Sequence, residues 1–90
     1  MYKELILFTS ENCMPCKSFK PLVEAAANKR GIRMKCIVFH PSNASEFTKY
    51  NVRTVPTLVC VGNDDKEVGT QLSGAVTAGR LEQKFASWGI

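Results

Sequence analysis

The sequence predicts one α/β domain over residues 1–90, with its elements in the order βαβαββα. Three observations predict it. Two apolar runs of strand length flank a long stretch of helical periodicity, a third β-rich run is followed by a turn and an alternating stretch, and the chain closes on an amphipathic segment. Size and composition agree with that class. A chain of 90 residues has room for one core, and 44% hydrophobic with 22% charged residues is the balance of a globular domain, not of a disordered one.

The first strand is assigned to Lys3–Phe8, because Leu5-Ile6-Leu7-Phe8 is unbroken apolar sequence of the kind found in strands buried on both faces. Polar Thr9-Ser10-Glu11-Asn12 ends it. From Met14 to Arg30 apolar residues recur at helical spacing (Phe19, Leu22, Val23, Ala26, Ala27), and Gly31 is the stop. Pro21 lacks an N–H and crowds the carbonyl of Lys17, which predicts a kink.

Met34–Phe39 reads as the second strand, and Asn43 with Glu46 three residues on predicts a capping box opening a short helix to about Tyr50. Thr57–Val61 is the third strand. Gly62-Asn63-Asp64-Asp65 is a turn signal, and alternating Val68, Thr70 and Leu72 predict a fourth strand returning as a hairpin. Thr77 can cap the last helix, with Ala78, Leu81, Phe85 and Trp88 on one stripe.

Twelve Lys and Arg against eight Asp and Glu give a formal charge of +4, spread along the chain without a basic block, so nucleic-acid binding is not expected. Nor is a membrane partner. No segment approaches the roughly 20 apolar residues that span a bilayer, and Leu5–Phe8 is too short for a signal-peptide core, so the expected location is the cytosol. In that reducing compartment a close pair of cysteines points to redox catalysis or metal binding before it points to a structural disulfide.

Cys13-Met14-Pro15-Cys16 lies where the first strand hands over to the first helix. Unpaired N–H groups and the positive end of the helix dipole stabilise an anion there, so Cys13 suits the role of attacking thiolate. Cys16, a turn further in, can attack the mixed disulfide that Cys13 forms with a substrate. Pro15 fits the first turn, where its missing N–H has no partner, and Met14 between the cysteines is expected to be exposed and to contact substrates. Two other readings are weaker: half of a zinc site, or a pair of inert core thiols. Zinc needs about four ligands, and Cys36, Cys60 and His40 show no second paired spacing, so no metal is expected. Cys36 and Cys60, inside apolar strand runs, read as core residues, and His40 as a surface residue.

Cys13-Met14-Pro15-Cys16-Lys17, Pro21 and the run Tyr50-Asn51-Val52-Arg53-Thr54-Val55-Pro56-Thr57-Leu58 together resemble the thioredoxin family. The resemblance implies a thioredoxin-like fold: a mixed four-stranded sheet with helices on both faces. It also implies that Pro56 is the family's cis-proline facing the cysteines, and that the backbone of Val55 bonds an extended substrate peptide. Leu72-Ser73-Gly74-Ala75 resembles the family's glycine loop beside the site. The implied substrate surface is Met14, Pro15, Thr54, Val55, Pro56, Gly74 and Ala75.

By the same resemblance the activity is reduction of protein disulfides by a monomer with no bound cofactor, its redox group being the Cys13–Cys16 disulfide. A thioredoxin reductase-like electron donor and disulfide-containing protein substrates follow, ribonucleotide reductase among the candidates. Three of the sequence's departures from the family lie in the cysteine loop and the first two strands. Asn12 stands where thioredoxins carry a Trp, Leu7 where they bury an Asp, and Ile37 near their lysine partner to that Asp. Charge and counter-charge are absent together, which avoids an unpaired buried ion. The nearest alternative is a glutathione-dependent glutaredoxin, whose glutathione site uses an acidic residue where this chain reads Gly74-Ala75-Val76-Thr77. A binding module of the same fold, without turnover, is the alternative of a different class.

Overall fold

The structure is a computed structural model that describes residues 3–90. The first strand, β1 (Glu4–Thr9), occupies an inner position in a four-stranded sheet whose order, with β2 (Arg33–Val38), β3 (Thr57–Val61) and β4 (Leu72–Ser73), is β2-β1-β3-β4. β1 runs parallel to β2 and antiparallel to β3, and β4 runs antiparallel to β3. The unbroken apolar sequence of β1 follows from that position. Leu7 stands between Cys36 of β2 and Leu58 of β3, and Leu5 to Thr9 are all buried. β2 has a strand on one side only, and its residues alternate between half-buried and exposed over most of its length.

Each face of the sheet carries helix. On one, Leu5, Leu7, Leu58 and Cys60 pack with Phe19, Val23 and Ala27 of α1 (Met14–Arg30) and with Leu81 and Phe85 of α3 (Ala78–Ser87). On the other, Ile6, Phe8, Val59 and Val61 pack with Phe47 of α2 (Ala44–Lys49) and with Tyr50 and Val52 beyond it. Complete burial of such side chains contributes roughly 1.5–3 kcal/mol each, so these two layers are the main stabilising term.

The ends of α1 follow local rules. Cys13 is its N-cap, Gly31 closes it in the left-handed region at φ 65° with its N–H on the Ala27 and Asn28 carbonyls, and Lys29 and Arg30 lie at the negative end of the dipole. The helix is continuous through Pro21. Thr77 caps α3 by accepting from the Arg80 N–H at 3.3 Å, and Leu81, Phe85 and Trp88 form its buried stripe, while Ala78 is exposed.

Two expectations from sequence are corrected. Asn43 does not cap α2 with its side chain, because Pro41 opens a 3-10 turn (Pro41–Asn43) that starts the helical path earlier. His40 becomes the cap, its Nδ1 accepting from the Ser42 N–H at 3.1 Å, and Asn43 instead accepts from the His40 N–H at 2.9 Å and donates to the Val38 carbonyl at 2.8 Å. The fourth strand is also far shorter than alternation implied. Val68 still donates to the Cys60 carbonyl at 2.7 Å, but at Gly69 (φ 68°) the chain leaves the sheet and rejoins it only at Leu72. The Trp88 indole is the cause: its Nε1–H takes the Thr70 carbonyl at 3.1 Å, and a Cβ at position 69 would stand 2.9 Å from its ring.

Candidate active site

The site is assembled at the C-terminal end of β1. After Thr9 the chain turns, the Cys13 N–H donates to the Ser10 carbonyl at 3.3 Å, and Cys13 enters α1 as its cap in extended conformation. Cys13 and Cys16 form a disulfide with a Cα–Cα distance of 5.2 Å. The Cys16 N–H donates to Cys13 Sγ at 3.2 Å, so a helix-start donor that would otherwise lack a partner is aimed at that sulfur. Both cysteines are buried, Cys16 at 3% exposure more deeply than Cys13 at 8%. No acidic residue lies in the first turn of α1 to oppose an anion there.

Met14 is 69% exposed and Pro15 is exposed beside it, so the turn between the cysteines faces solvent. The segment Thr54-Val55-Pro56 reaches this region through the sheet. Phe8 of β1 pairs with Thr57, and the Thr57 hydroxyl donates to the Thr54 carbonyl at 2.7 Å. The Val55–Pro56 peptide bond is cis, Pro56 is buried, Val55 is half-buried and Thr54 is exposed. Gly74 donates its N–H to the Pro56 carbonyl at 2.8 Å, which fixes the loop before α3 against the proline. Gly74 has φ 86°, and a Cβ at that position would meet nothing within 4 Å, so backbone conformation and not space calls for glycine. Ala75 is exposed.

A second brace ties the segment before β4 to the end of α2. The Gln71 side-chain amide donates to the Tyr50 carbonyl and, at 2.8 Å, to Glu67. Nothing local in the sequence marks Gln71 for this role. Ser10 and Phe39 are likewise found only in the structure, where they line one groove with Thr54 and Val55. A sequence signal for Phe39 did exist: it is an aromatic residue at the very end of a strand, where the core has already been passed.

Leu7 is fully buried among Phe19, Val23 and Leu58, and the buried polar side chains among the described residues are Thr9 and Thr57. No carboxylate lies in that layer. Cys60 is buried in the same layer, and burial pushes its thiol up from the ordinary range, against a smaller opposing pull from Lys3. It is a core residue. Cys36 is half-buried on β2 with its Sγ 3.6 Å from the Thr9 hydroxyl, and His40 is exposed. Among the described residues no three His, Cys, Asp or Glu side chains gather as a metal site.

A sequence profile described as Thioredoxin matches residues 2–87. Among curated proteins the chain is similar to the chloroplastic thioredoxin M-type of Pisum sativum, 26% identical over 85 residues, and to thioredoxin C-2 of Corynebacterium nephridii, 30% identical over 78 residues. These alignments take in 93% and 86% of this chain, which spans 48% of the first relative's length and 70% of the second's. Among solved structures, Fasciola hepatica thioredoxin superposes with a TM-score of 0.76 at 28% identity, covering 94% of this chain and 79% of that one. The short form of spinach chloroplast thioredoxin f superposes with a TM-score of 0.80 at 22% identity, covering 96% and 76%, and bears on fold alone. With a profile running almost from end to end and a cysteine pair bonded at the strand-to-helix junction, this chain belongs to the thioredoxin family.

Proposed function

We propose that the chain is a protein-disulfide reductase in which Cys13 attacks and Cys16 resolves. The observation that carries this is the Cys16 N–H aimed at Cys13 Sγ at the start of α1. After reduction the same donor and the helix dipole stabilise a thiolate on Cys13, the nucleophilic form. That thiolate attacks one sulfur of the substrate disulfide, forming a mixed disulfide and expelling the other substrate sulfur as a thiolate that takes a proton from water. Cys16 then gives its proton to water, its thiolate attacks Cys13 Sγ, the second substrate sulfur leaves as a thiolate that takes up a proton, and the Cys13–Cys16 disulfide results. Two electrons have passed to the substrate.

An external donor returns those electrons. A thioredoxin reductase-like protein is the donor proposed, because Gly74-Ala75-Val76-Thr77 offers no carboxylate for the amino group of glutathione, while exposed Met14 and Ala75 present an apolar rim to a protein surface. Protein substrates dock on Met14, Pro15, Thr54, Val55, Pro56, Gly74 and Ala75. The free thiols of Cys36 and Cys60 support work in a reducing compartment, the cytosol, and the chain is proposed to act as a monomer. Among the described residues no helix is long and apolar enough to cross a membrane.

Insulin reduction tests the reading. Wild type turns over with a reductase and NADPH, Cys13→Ser is inactive, and Cys16→Ser accumulates a mixed disulfide with substrate. Full activity in the Cys13→Ser variant would remove Cys13 from the reaction.

A further inference from the structure

The sheet ends on one side at β2, whose outer edge meets no other strand among the described residues. The Phe39 N–H bonds inward to the Thr9 carbonyl at 2.8 Å. Backbone direction alternates along a strand, so the N–H and C=O groups of Met34 and Cys36 and the N–H of Val38 point outward. The Val38 carbonyl also faces out, and there it accepts from Asn43 Nδ2 at 2.8 Å. That bond occupies one end of the edge and leaves the rest open. Unpaired backbone groups in a row are a template for an added strand.

The side chains along this edge divide by face. Met34 packs toward the α1 layer, Cys36 shares its face, and Val38 in the same row is 42% exposed. On the other face Ile37 packs against the layer of Phe8 and Phe47, while Arg33 and Lys35, which precede it in that row, are exposed. In the ladder with β1, Arg33 stands beside Glu4 and Lys35 beside Ile6. Lys35 takes part in none of the ion pairs among the described residues, so its charge is left for a partner. A second copy of the chain does not suit that edge: it would bring Arg33 and Lys35 of one molecule to those of another, each with a formal charge of +4. An acidic strand meets the opposite condition.

We propose that the free edge of β2 is a docking site for an extended acidic segment of another protein, which joins the four-stranded sheet as a further strand. Alternate residues of that segment are acidic, beside Arg33 and Lys35, and those between them are apolar, beside Met34, Cys36 and Val38. Backbone hydrogen bonds supply the attachment, and charge selects the partner. The docked strand lies on the side of β1 away from β3 and takes no part in sulfur exchange.

The test uses two labelled peptides of equal length with capped ends, one alternating Val with Glu and one alternating Val with Lys, and reads their affinities by fluorescence anisotropy. The Glu peptide should bind wild type at least about tenfold more tightly than the Lys peptide, and Lys35→Glu should reduce that ratio by at least about fivefold. A ratio is used because loss of folded protein weakens both alike. With the Glu peptide bound, hydrogen exchange of the Met34 and Cys36 amides should slow by about tenfold or more, and methylation of the peptide's backbone nitrogens should abolish binding. Binding of neither peptide, equal binding of the two, or binding that leaves those two amides exchanging as in the free protein overturns the proposal. Cys13→Ser should bind the Glu peptide as wild type does; loss of binding in that variant would place the peptide at the cysteine loop and also overturns it. Self-association in sedimentation that protects the same amides without peptide would give the edge to a second copy of this chain, with the same consequence.

Discussion

Cys13 and Cys16 are three positions apart and bonded to each other, yet their surroundings separate their roles. Cys13 is the cap, at the edge of solvent and in reach of the Cys16 N–H, whereas Cys16 belongs to the buried stripe of α1. In a Cys36→Ser background, brief alkylation of the reduced protein should therefore label Cys13 first and Cys60 last, as mass spectrometry of peptides would show; labelling of Cys16 first would reverse the assignment. Leu7 is the residue of this layer that bears most on stability. Replacing it by Asp puts a carboxylate among Phe19, Val23 and Leu58, at a cost of about 3 kcal/mol or more. Burial raises the carboxyl's pKa in the folded state above its unfolded value of roughly 4, so the unfolded chain releases its proton first. Stability of Leu7→Asp should then fall further behind wild type as pH rises from about 4 to 7, which urea titrations at several pH values would read. A penalty independent of pH would mean that the carboxyl reaches water.

At the scale of elements, the loop from Gly62 to Ser73 is shaped by α3 as much as by β3. Gly69 and Gly74 both have positive φ, at 68° and 86°, but a side chain at 69 meets the Trp88 ring at 2.9 Å whereas one at 74 meets nothing. Gly74→Ala should cost about 1 kcal/mol from backbone conformation alone, and Gly69→Ala about 2 kcal/mol because Trp88 must also shift. Equal costs in denaturant melts would show that Trp88 yields freely. α1 and α3 are clasped by the Arg30 guanidinium, which holds both oxygens of Glu82 and lies 4.8 Å over the Phe85 ring. Arg30 holds the Glu82 carboxyl below the usual carboxylate range. A depressed folded pKa contributes stability that is present above the unfolded value and is lost as pH falls through the folded one, so this clasp weakens below about pH 4.5. Glu82→Gln should flatten that part of the acid-side stability profile. An unchanged profile would show that solvent screens the pair.

For the whole molecule, the large exposed hydrophobic residues among those described are Met14, Val38 and Phe39. Met14 lies between the two cysteines and Phe39 lines the groove beside them, so the apolar surface is concentrated where a protein partner must approach. Reduction of the Cys13–Cys16 disulfide should accordingly be at least about tenfold faster with a thioredoxin-type reductase and NADPH than with glutathione at matched driving force, measured by rapid-quench alkylation and mass spectrometry of the released thiols. The opposite order of rates would place the electron supply with glutathione.

What the sequence determined by itself was local. The helical stripe Phe19-Val23-Ala27, the stop at Gly31, the apolar run of β1, the cap at Thr77 and the cysteine pair at a strand-to-helix junction all depend on residues within a few positions of one another, where periodicity and capping rules act. What only the tertiary structure decided depends on partners far apart in the chain. Asn43, two residues after Pro41, is ambiguous until Val38 and His40 are in place, so the turn at Pro41 claimed Asn43 for the strand end and not for α2. Val68-Thr70-Leu72 alternates like a strand, but an indole 18 positions away takes the Thr70 carbonyl and the strand shrinks to Leu72–Ser73. The groove of Phe39, Val55 and Arg53 exists for the same reason: pairing of β1 with both β2 and β3 brings three separate segments to one edge of the Cys13 loop, and no local pattern encodes a distance that a sheet sets.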